Sequence, residues 1–224
     1  MRLVSIVIPL YNEQELIRDF YHRLVSVVND QPYRFEFWFV NDGSEDDTQA
    51  ILASLHAEDE RVQIIRFSRN FGHQSALCAG LAEAQGDFVL TMDGDGQHPP
   101  EMIPEMLRMA EAGYDIVLTQ RLTDEKEGLF KRATSKIFYR LINKIGDTQT
   151  LPGGADFRLL SRQVVDNLLS MPEYHRFLRG MVAWLGFKTV ILPFTPPPRI
   201  AGKSKYSFKK MFRLASDAVF SFSM

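Results

Sequence analysis

The sequence predicts an α/β domain in which a mostly parallel sheet is covered by helices on both faces. Three observations carry this reading. Short, almost wholly apolar runs such as Leu3–Leu10 and Phe88–Met92 have the composition of strands buried on both sides. Between them lie segments with apolar residues at helical spacing, as in Leu16, Ile17, Phe20, Leu24 and Val28. The two patterns alternate through the first 120 residues, which is the order of repeated strand–helix–strand units.

Taken in order, Leu3–Leu10 is the first strand, Glu13–Val28 the first helix and Phe35–Val40 the second strand. Ser44-x-x-Asp47 approximates a capping box, with Asp in place of Glu or Gln, and predicts a helix lined by Ile51, Leu52 and Leu55. Val62–Phe67, Gln74–Ala84, Phe88–Met92, Glu101–Ala112 and Asp115–Gln120 repeat the cycle. Gly86 and Gly113 fall where helix C-caps are expected. After Arg121 the pattern changes. Leu129–Ile145 predicts a helix with a basic face, and a Gly/Pro-containing loop, Leu151–Ala155, leads to Asp156-Phe157-Arg158 and a further helix. The last stretch, Ser207–Met224, puts Phe208, Met211, Phe212, Ala215, Ala218, Val219 and Phe222 on one helical face.

A length of 224 residues suits one large domain or one domain with an appendage. The single cysteine, Cys78, excludes an internal disulfide. One cysteine and five scattered histidines make no zinc pattern, so a metal here would be held by oxygen atoms. No run approaches the ~20 apolar residues of a spanning helix. Charge is unevenly distributed: Tyr174–Ser216 carries nine Lys/Arg and no Asp or Glu, whereas Met1–Glu173 sums to −10. A basic, aromatic-rich tail is a footprint for phosphates, of lipid or of nucleic acid.

In an open parallel sheet, ligands bind beyond the carboxyl ends of the strands. Polar residues at those ends are Tyr11, Asn12 and Glu13, then Asn41 and Asp42, Arg69 and Asn70, Asp93, Asp95 and Gln97, and Arg121. Asp93-Gly94-Asp95 places two carboxylates one residue apart on a turn leaving a strand, which suits a hard divalent cation bridging phosphates. An EF-hand would require Gly at His98 and Glu at Pro104, and fails. A phosphatase with an aspartyl nucleophile shares Asp-x-Asp but places it after the first strand. No Gly-x-Gly-x-x-Gly follows the first strand, which argues against a dehydrogenase.

Four segments together carry a family resemblance: Ile8-Pro9-Leu10-Tyr11-Asn12-Glu13, Val40-Asn41-Asp42-Gly43-Ser44, Met92-Asp93-Gly94-Asp95-Gly96-Gln97-His98-Pro99-Pro100-Glu101 and Asp156-Phe157-Arg158-Leu159. In this order they resemble the inverting family 2 glycosyltransferases. Arg199-x-x-Gly202-x-Ser204-Lys205-Tyr206 is similar to the tail motif of their polyprenyl-phosphate subgroup, which includes bactoprenol glucosyltransferases and dolichyl-phosphate mannose synthases. The resemblance implies the GT-A fold, a Rossmann-like sheet flanked by helices, over residues 1–200, and a basic amphipathic juxtamembrane segment over 201–224. It further implies transmembrane helices beyond Met224 and a place at the cytoplasmic face of a membrane.

The implied roles fall residue by residue. Pro9, Tyr11, Glu13, Asp42 and Asp93 would line the nucleotide pocket, and Asp93, Asp95 and Gln97 would hold Mg2+ or Mn2+. Arg121, Arg132 and Arg199, assisted by Lys203 and Lys205, would meet phosphates. Asp95 and Arg121 would then be catalytic through the metal and the leaving diphosphate. Asp156 matches the proposed catalytic base. A lipid monophosphate with a second pKa of ~6 scarcely needs one, so Asp156 could instead position the acceptor or the metal, or simply cap a helix at Phe157. Relatives carry Ala or Val and then Leu where this chain has Gly94 and Gly96, and Gly at Ala155. The partners implied are a nucleotide-sugar donor, a polyprenyl phosphate acceptor and the membrane surface, with no nucleic acid. Glucose from UDP is favoured; mannose or N-acetylglucosamine, and a homo-oligomer, stay open. A soluble or polysaccharide acceptor, and a non-catalytic lipid-binding module, are the alternatives.

Overall fold

A computed structural model describes residues 1–122, 154–173 and 176–197. The elements expected at Leu129–Ile145 and Ser207–Met224, and with them Arg132, Arg199, Lys203 and Lys205, lie outside the described residues. Strands are β1 (Leu3–Leu10), β2 (Arg34–Asn41), β3 (Val62–Arg66), β4 (Phe88–Thr91), β5 (Ile116–Arg121), β6 (Gly154–Ser161) and β7 (Thr189–Phe194). Helices are α1 (Ile17–Val28), α2 (Thr48–Glu58), α3 (His73–Glu83), α4 (Ile103–Glu111), α5 (Arg162–Ser170) and α6 (Leu178–Trp184). One seven-stranded sheet has the order β3-β2-β1-β4-β6-β5-β7. All pairings are parallel except those of β6, which runs antiparallel to β4 and to β5.

Strand β1 shows why both faces need cover. Val4, Ile6, Ile8 and Leu10 project into a core shared with Ile17, Phe20, Tyr21 and Leu24 of α1 and Met106 and Leu107 of α4. Val7 projects the other way, into a core built with Ala76, Leu77 and Leu81 of α3, Val164, Val165 and Leu168 of α5, and Leu178, Met181 and Val182 of α6. This is the period-2 alternation of a pleated strand. Phe37, Phe39 and Phe157 are fully buried, and each contributes about 1.5–3 kcal/mol relative to exposure.

Three local expectations are corrected. Asp156-Phe157-Arg158 does not open a helix but lies within β6; the helix starts at Arg162, where the Ser161 hydroxyl accepts the Val164 N–H. Ser44 does not cap α2, whose N-cap Asp47 makes no side-chain cap bond; the Ser44 hydroxyl instead accepts the Asn12 N–H. Gly86 is not a left-handed cap. A Cβ there would sit 2.6 Å from the Ser5 nitrogen and hydroxyl, so its role is close approach to β1. Gly113, with φ +86, does follow α4 as a C-cap.

The loops at the carboxyl ends of the strands are sewn to one another. Ser44 Oγ accepts from Asn12 N, Asn12 Oδ1 from Glu45 N, Thr48 Oγ1 from Glu13 N, and Gln14 Oε1 from Asp47 N. Asn12 takes φ 53, a conformation Asn tolerates better than most residues. Gly43, at φ +66, lets the loop after β3 pass directly over the loop after β2; a Cβ would lie 2.3 Å from the Arg69 carbonyl carbon. Gly72 has φ +103 but open space around its Cα. Gly43→Ala therefore meets both backbone strain and a clash with main chain, and is expected to cost about 2–4 kcal/mol. Gly72→Ala meets strain alone, about 1–3 kcal/mol, because φ 103 with ψ 156 is a region essentially confined to glycine. Urea unfolding of both variants checks this, and a loss below about 1 kcal/mol in Gly43→Ala would show that the loop crossing there is not a close packing point.

Candidate active site

Strands β1, β2 and β4 end side by side, and β6, entering antiparallel, brings its own start to the same end of the sheet. Pro9 is buried within β1 opposite Val40, and Tyr11 and Glu13 follow half-buried in the loop that the second loop holds in place. Asp42 is buried, and its carboxylate faces inward: Oδ1 accepts from Phe71 N at 2.7 Å and both oxygens accept from Gly72 N. It thereby fixes the loop that delivers Arg69, Phe71 and His73. Arg69 stacks over the Phe71 ring at 4.1 Å, and that ring is 46% exposed at the rim.

The turn after β4 is built around Asp93. Its N–H donates to His98 Nδ1 at 2.8 Å. His98 Nε2 lies 3.6 Å from Asp93 Oδ2 and 3.2 Å from Arg121 NH2. Burial lowers the His98 pKa, outweighing the nearby Asp93 carboxylate, so the ring is a neutral structural post. It stacks on Phe157 at 5.1 Å. A Cβ at Gly94 would meet Leu10 Cδ2 at 2.4 Å, so a larger residue there requires the end of the Leu10 side chain to shift. Gly96, at φ +76, holds a conformation that a Leu would resist.

Asp95 Oδ1 accepts the Gln97 N–H at 3.0 Å, and Gln97 Oε1 accepts from Arg121 NH1 at 2.9 Å. The structure therefore gathers Asp93, Asp95, Gln97 and Arg121 into one group. Their donor atoms are carboxylate and amide oxygens, the set that Mg2+ or Mn2+ prefers. Among the described residues, no three His, Cys, Asp or Glu side chains are grouped to hold an ion by themselves. A cation here would take two carboxylates from the protein, with Gln97 able to add its second lone pair. Its remaining positions would be filled by phosphate and water, so the residues fit an ion that arrives with a diphosphate.

Asp156 stands on the other side of Asp93. Its side chain is 6% exposed and is gripped by Arg158 NH2, by Arg179 Nε at 3.1 Å and NH2 at 2.8 Å, and by His73 Nε2 at 3.3 Å. The same His73 nitrogen is 3.6 Å from Asp93 Oδ1. Burial would raise the Asp156 pKa, but Arg179, Arg158 and His73 override it and hold the carboxyl well below the usual range. A carboxylate so engaged is a weak base. For His73, desolvation lowers the pKa, and the Asp93 and Asp156 carboxylates more than offset it, so the net shift is upward.

His73, His98 and Arg179 were not among the residues singled out from sequence. His73 follows Arg69-Asn70 by three residues, and His98 sits inside the quoted metal segment, so both were within reach of the motif reading. Arg179 had no local signal beyond membership of the basic tail.

Removing the Asp156 charge takes away the carboxylate that Arg158 and Arg179 share. Asp156→Asn is expected to cost about 3–5 kcal/mol. The pH dependence has a definite sign in metal-free protein. The depressed Asp156 pKa contributes stability that is complete above about pH 3.9 and lost as pH falls through the folded value. The raised His73 pKa contributes below about pH 6.5 and is lost as pH rises through its folded value. The gap between wild type and Asp156→Asn in urea unfolding should be widest between these two limits. A gap that does not vary with pH would contradict the ion cluster.

Comparison with known proteins identifies the family. The model of the glycosyl transferase family 2 matches residues 5–169. The uncharacterized glycosyltransferase YkcC of Bacillus subtilis (strain 168) is 42% identical over 219 residues, covering 98% of this chain and 68% of that protein. The bactoprenol glucosyl transferase of Shigella phage SfV is 40% identical over 220 residues, covering 98% of this chain and 72% of that protein. Among solved structures, S. aureus TarS 1–349 in complex with UDP-GlcNAc aligns over 100% of this chain and 68% of its own, with a TM-score of 0.60 at 20% identity. Mannosyltransferase PcManGT from Pyrobaculum calidifontis in complex with GDP-Man and Mn2+ aligns over 91% and 58%, with a TM-score of 0.59 at 16% identity. The likeness to these structures is one of fold, the GT-A fold. With the family model spanning most of the chain and relatives near 40% identity along nearly all of it, this chain belongs to glycosyl transferase family 2.

Proposed function

We propose that this glycosyltransferase moves a hexose, glucose from UDP being favoured, onto a polyprenyl phosphate at a membrane surface, with inversion at the anomeric carbon. One observation carries the proposal: Asp95, Gln97 and Arg121 are joined by hydrogen bonds and Asp93 adjoins Arg121 through His98, in a chain about 40% identical to bactoprenol glucosyl transferases over 98% of its length. A divalent ion held there would supply charge to offset a departing diphosphate. Arg121 would share that charge, its fork already oriented by Gln97.

The chemistry asks little of a base. The acceptor phosphate, with a second pKa of ~6, presents an ionised oxygen. That oxygen forms the new bond to the anomeric carbon while the bond to the diphosphate oxygen breaks, and the nucleotide diphosphate leaves with the electron pair. No proton moves. The clamped state of Asp156 suits this: it orients Arg179 and His73 and does not abstract a proton. Residues 1–200 would form the catalytic domain, and 201–224 would lie along the bilayer, their basic and aromatic composition matching an anionic interface. Among the described residues no helix is long and apolar enough to cross a membrane.

The test is a transfer assay with UDP-glucose, UDP-N-acetylglucosamine and GDP-mannose against undecaprenyl phosphate in detergent, with Mg2+ or Mn2+. We expect one donor, UDP-glucose first, to yield lipid-linked sugar. A chelator should abolish the product, and Asp95→Ala should lower kcat at least 100-fold. Product from a soluble glycan acceptor with none from the lipid phosphate would overturn the acceptor assignment.

A further inference from the structure

The end of the sheet that carries the crevice also carries exposed apolar side chains on both flanks. Phe71, in the loop after β3, is 46% exposed, and Leu122, directly after β5, is 54% exposed. Strands β3 and β5 point the same way, so both residues stand at the crevice end. In the strand order they are separated by β2, β1, β4 and β6, which puts them roughly 24 Å apart. An extended surface reaches both flanks more readily than a small ligand does. A lone exposed apolar residue is ordinary, so what surrounds Phe71 decides the matter.

Those surroundings are basic and fixed. No Asp or Glu occurs from Val62 to Ala82, within a region, Met1–Glu173, whose charge sums to −10. Arg66 and Arg69 are exposed and pair with no carboxylate among the described residues. Arg69 lies over the Phe71 ring at 4.1 Å, and its NH1 donates to the Asn70 carbonyl at 3.5 Å. Phe67 meets the same ring edge-on at 5.5 Å. Asp42 holds the backbone through the Phe71 and Gly72 N–H groups, so the ring is presented on a pinned turn. An aromatic ring beside exposed guanidiniums suits an anionic bilayer: the ring enters the apolar boundary while the cations stay among the phosphates.

The course of the chain is a second, independent observation. Strand β7 is parallel to β5 and ends at Phe194, again at the crevice end. The basic stretch from Arg199 onward follows shortly after that point in the sequence. Strands β3 and β7 are the two edges of the sheet, so the Phe71 rim and the start of the tail flank the crevice.

We infer that the rim formed by Phe71, Arg66 and Arg69 is a second lipid contact, which docks on an anionic bilayer and turns the crevice toward it. This rests on the proposed function for the place of the tail along the bilayer. The rim supplies the orientation that one contact alone leaves undetermined.

Vesicle binding of the 224-residue chain tests the contact. Phe71→Trp puts a fluorophore on the rim, and Arg34→Trp, at the exposed start of β2 on the opposite end of the sheet, is its control. On vesicles of brominated phosphatidylglycerol, Phe71→Trp should lose more emission than wild type, and the emission added by Arg34→Trp should not be quenched. Arg66→Gln should lower partition onto phosphatidylglycerol about 5-fold, the effect of one basic side chain near an anionic surface. Its partition onto phosphatidylcholine should match wild type. Melting temperatures show that each variant is folded. No extra quenching in folded Phe71→Trp, or unchanged partition of Arg66→Gln, overturns the rim contact. Wild type that stays off phosphatidylglycerol overturns it together with the membrane part of the proposed function. Transfer in detergent needs no bilayer, so lipid-linked product without extra quenching sinks this inference alone. Extra quenching without product leaves the contact standing and removes the acceptor assignment.

Discussion

The carboxylate of Asp156 is the point on which the site is assembled. It lies on β6, accepts from Arg158 of the same strand, from Arg179 of α6 and from His73 at the start of α3, and through His73 it adjoins Asp93 after β4. A single buried anion therefore fixes the relative placement of elements whose sequence separation exceeds 100 residues. Taking such a charge out of water costs several kcal/mol, and only multiple strong hydrogen bonds recover it. A buried ion cluster of this kind is poor at adding stability but strict about geometry. That is a use consistent with a site that must hold Asp93 between His73 and His98.

The antiparallel insertion of β6 makes this arrangement available. In a purely parallel sheet the residues at the carboxyl ends would all follow a strand. Here β6 runs the other way between β4 and β5, so residues near its beginning reach the same crevice. Thr91 and Thr119 pin it, donating their hydroxyls to the Asp156 and Phe157 carbonyls at 2.6 and 2.7 Å. The aromatic ring of Phe157, turned to the opposite face, stacks on His98 and meets Phe194 edge-on, which ties β6 to the turn after β4 and to β7. Adjacent residues of one strand thus meet the two histidines that face Asp93.

Much of this was readable from residues, and the exceptions have physical causes. Strands β1 to β5 announce themselves because burial on both faces demands continuous apolar runs, as in Leu3–Leu10. Their polar end residues could then be placed together from topology alone, and Asp95, Gln97 and Arg121 are hydrogen-bonded to one another. Strand β6 was misread because two of its buried residues, Asp156 and Arg158, are charged. Asp156 and Arg158 pair with each other, and Asp156 is bonded as well by Arg179, more than 20 residues away; no local pattern encodes that second partner. Ser44 misled for a related reason: a side chain suited to capping its own helix bonds the neighbouring loop at Asn12 instead. Edge strand β7 (Thr189–Phe194) was not anticipated, its half-exposed alternation and Pro193 giving a weak strand signal.

The central claim is that the crevice at the strand ends is a metal-assisted nucleotide site built on Asp93 and Asp95. Calorimetric titration of UDP and GDP, with and without Mn2+, on wild type and Asp95→Ala tests it most directly. The account predicts binding of one nucleotide that depends on the metal and disappears in the variant. Folded wild-type protein that binds neither nucleotide, or binds one equally well without metal and in Asp95→Ala, would contradict it.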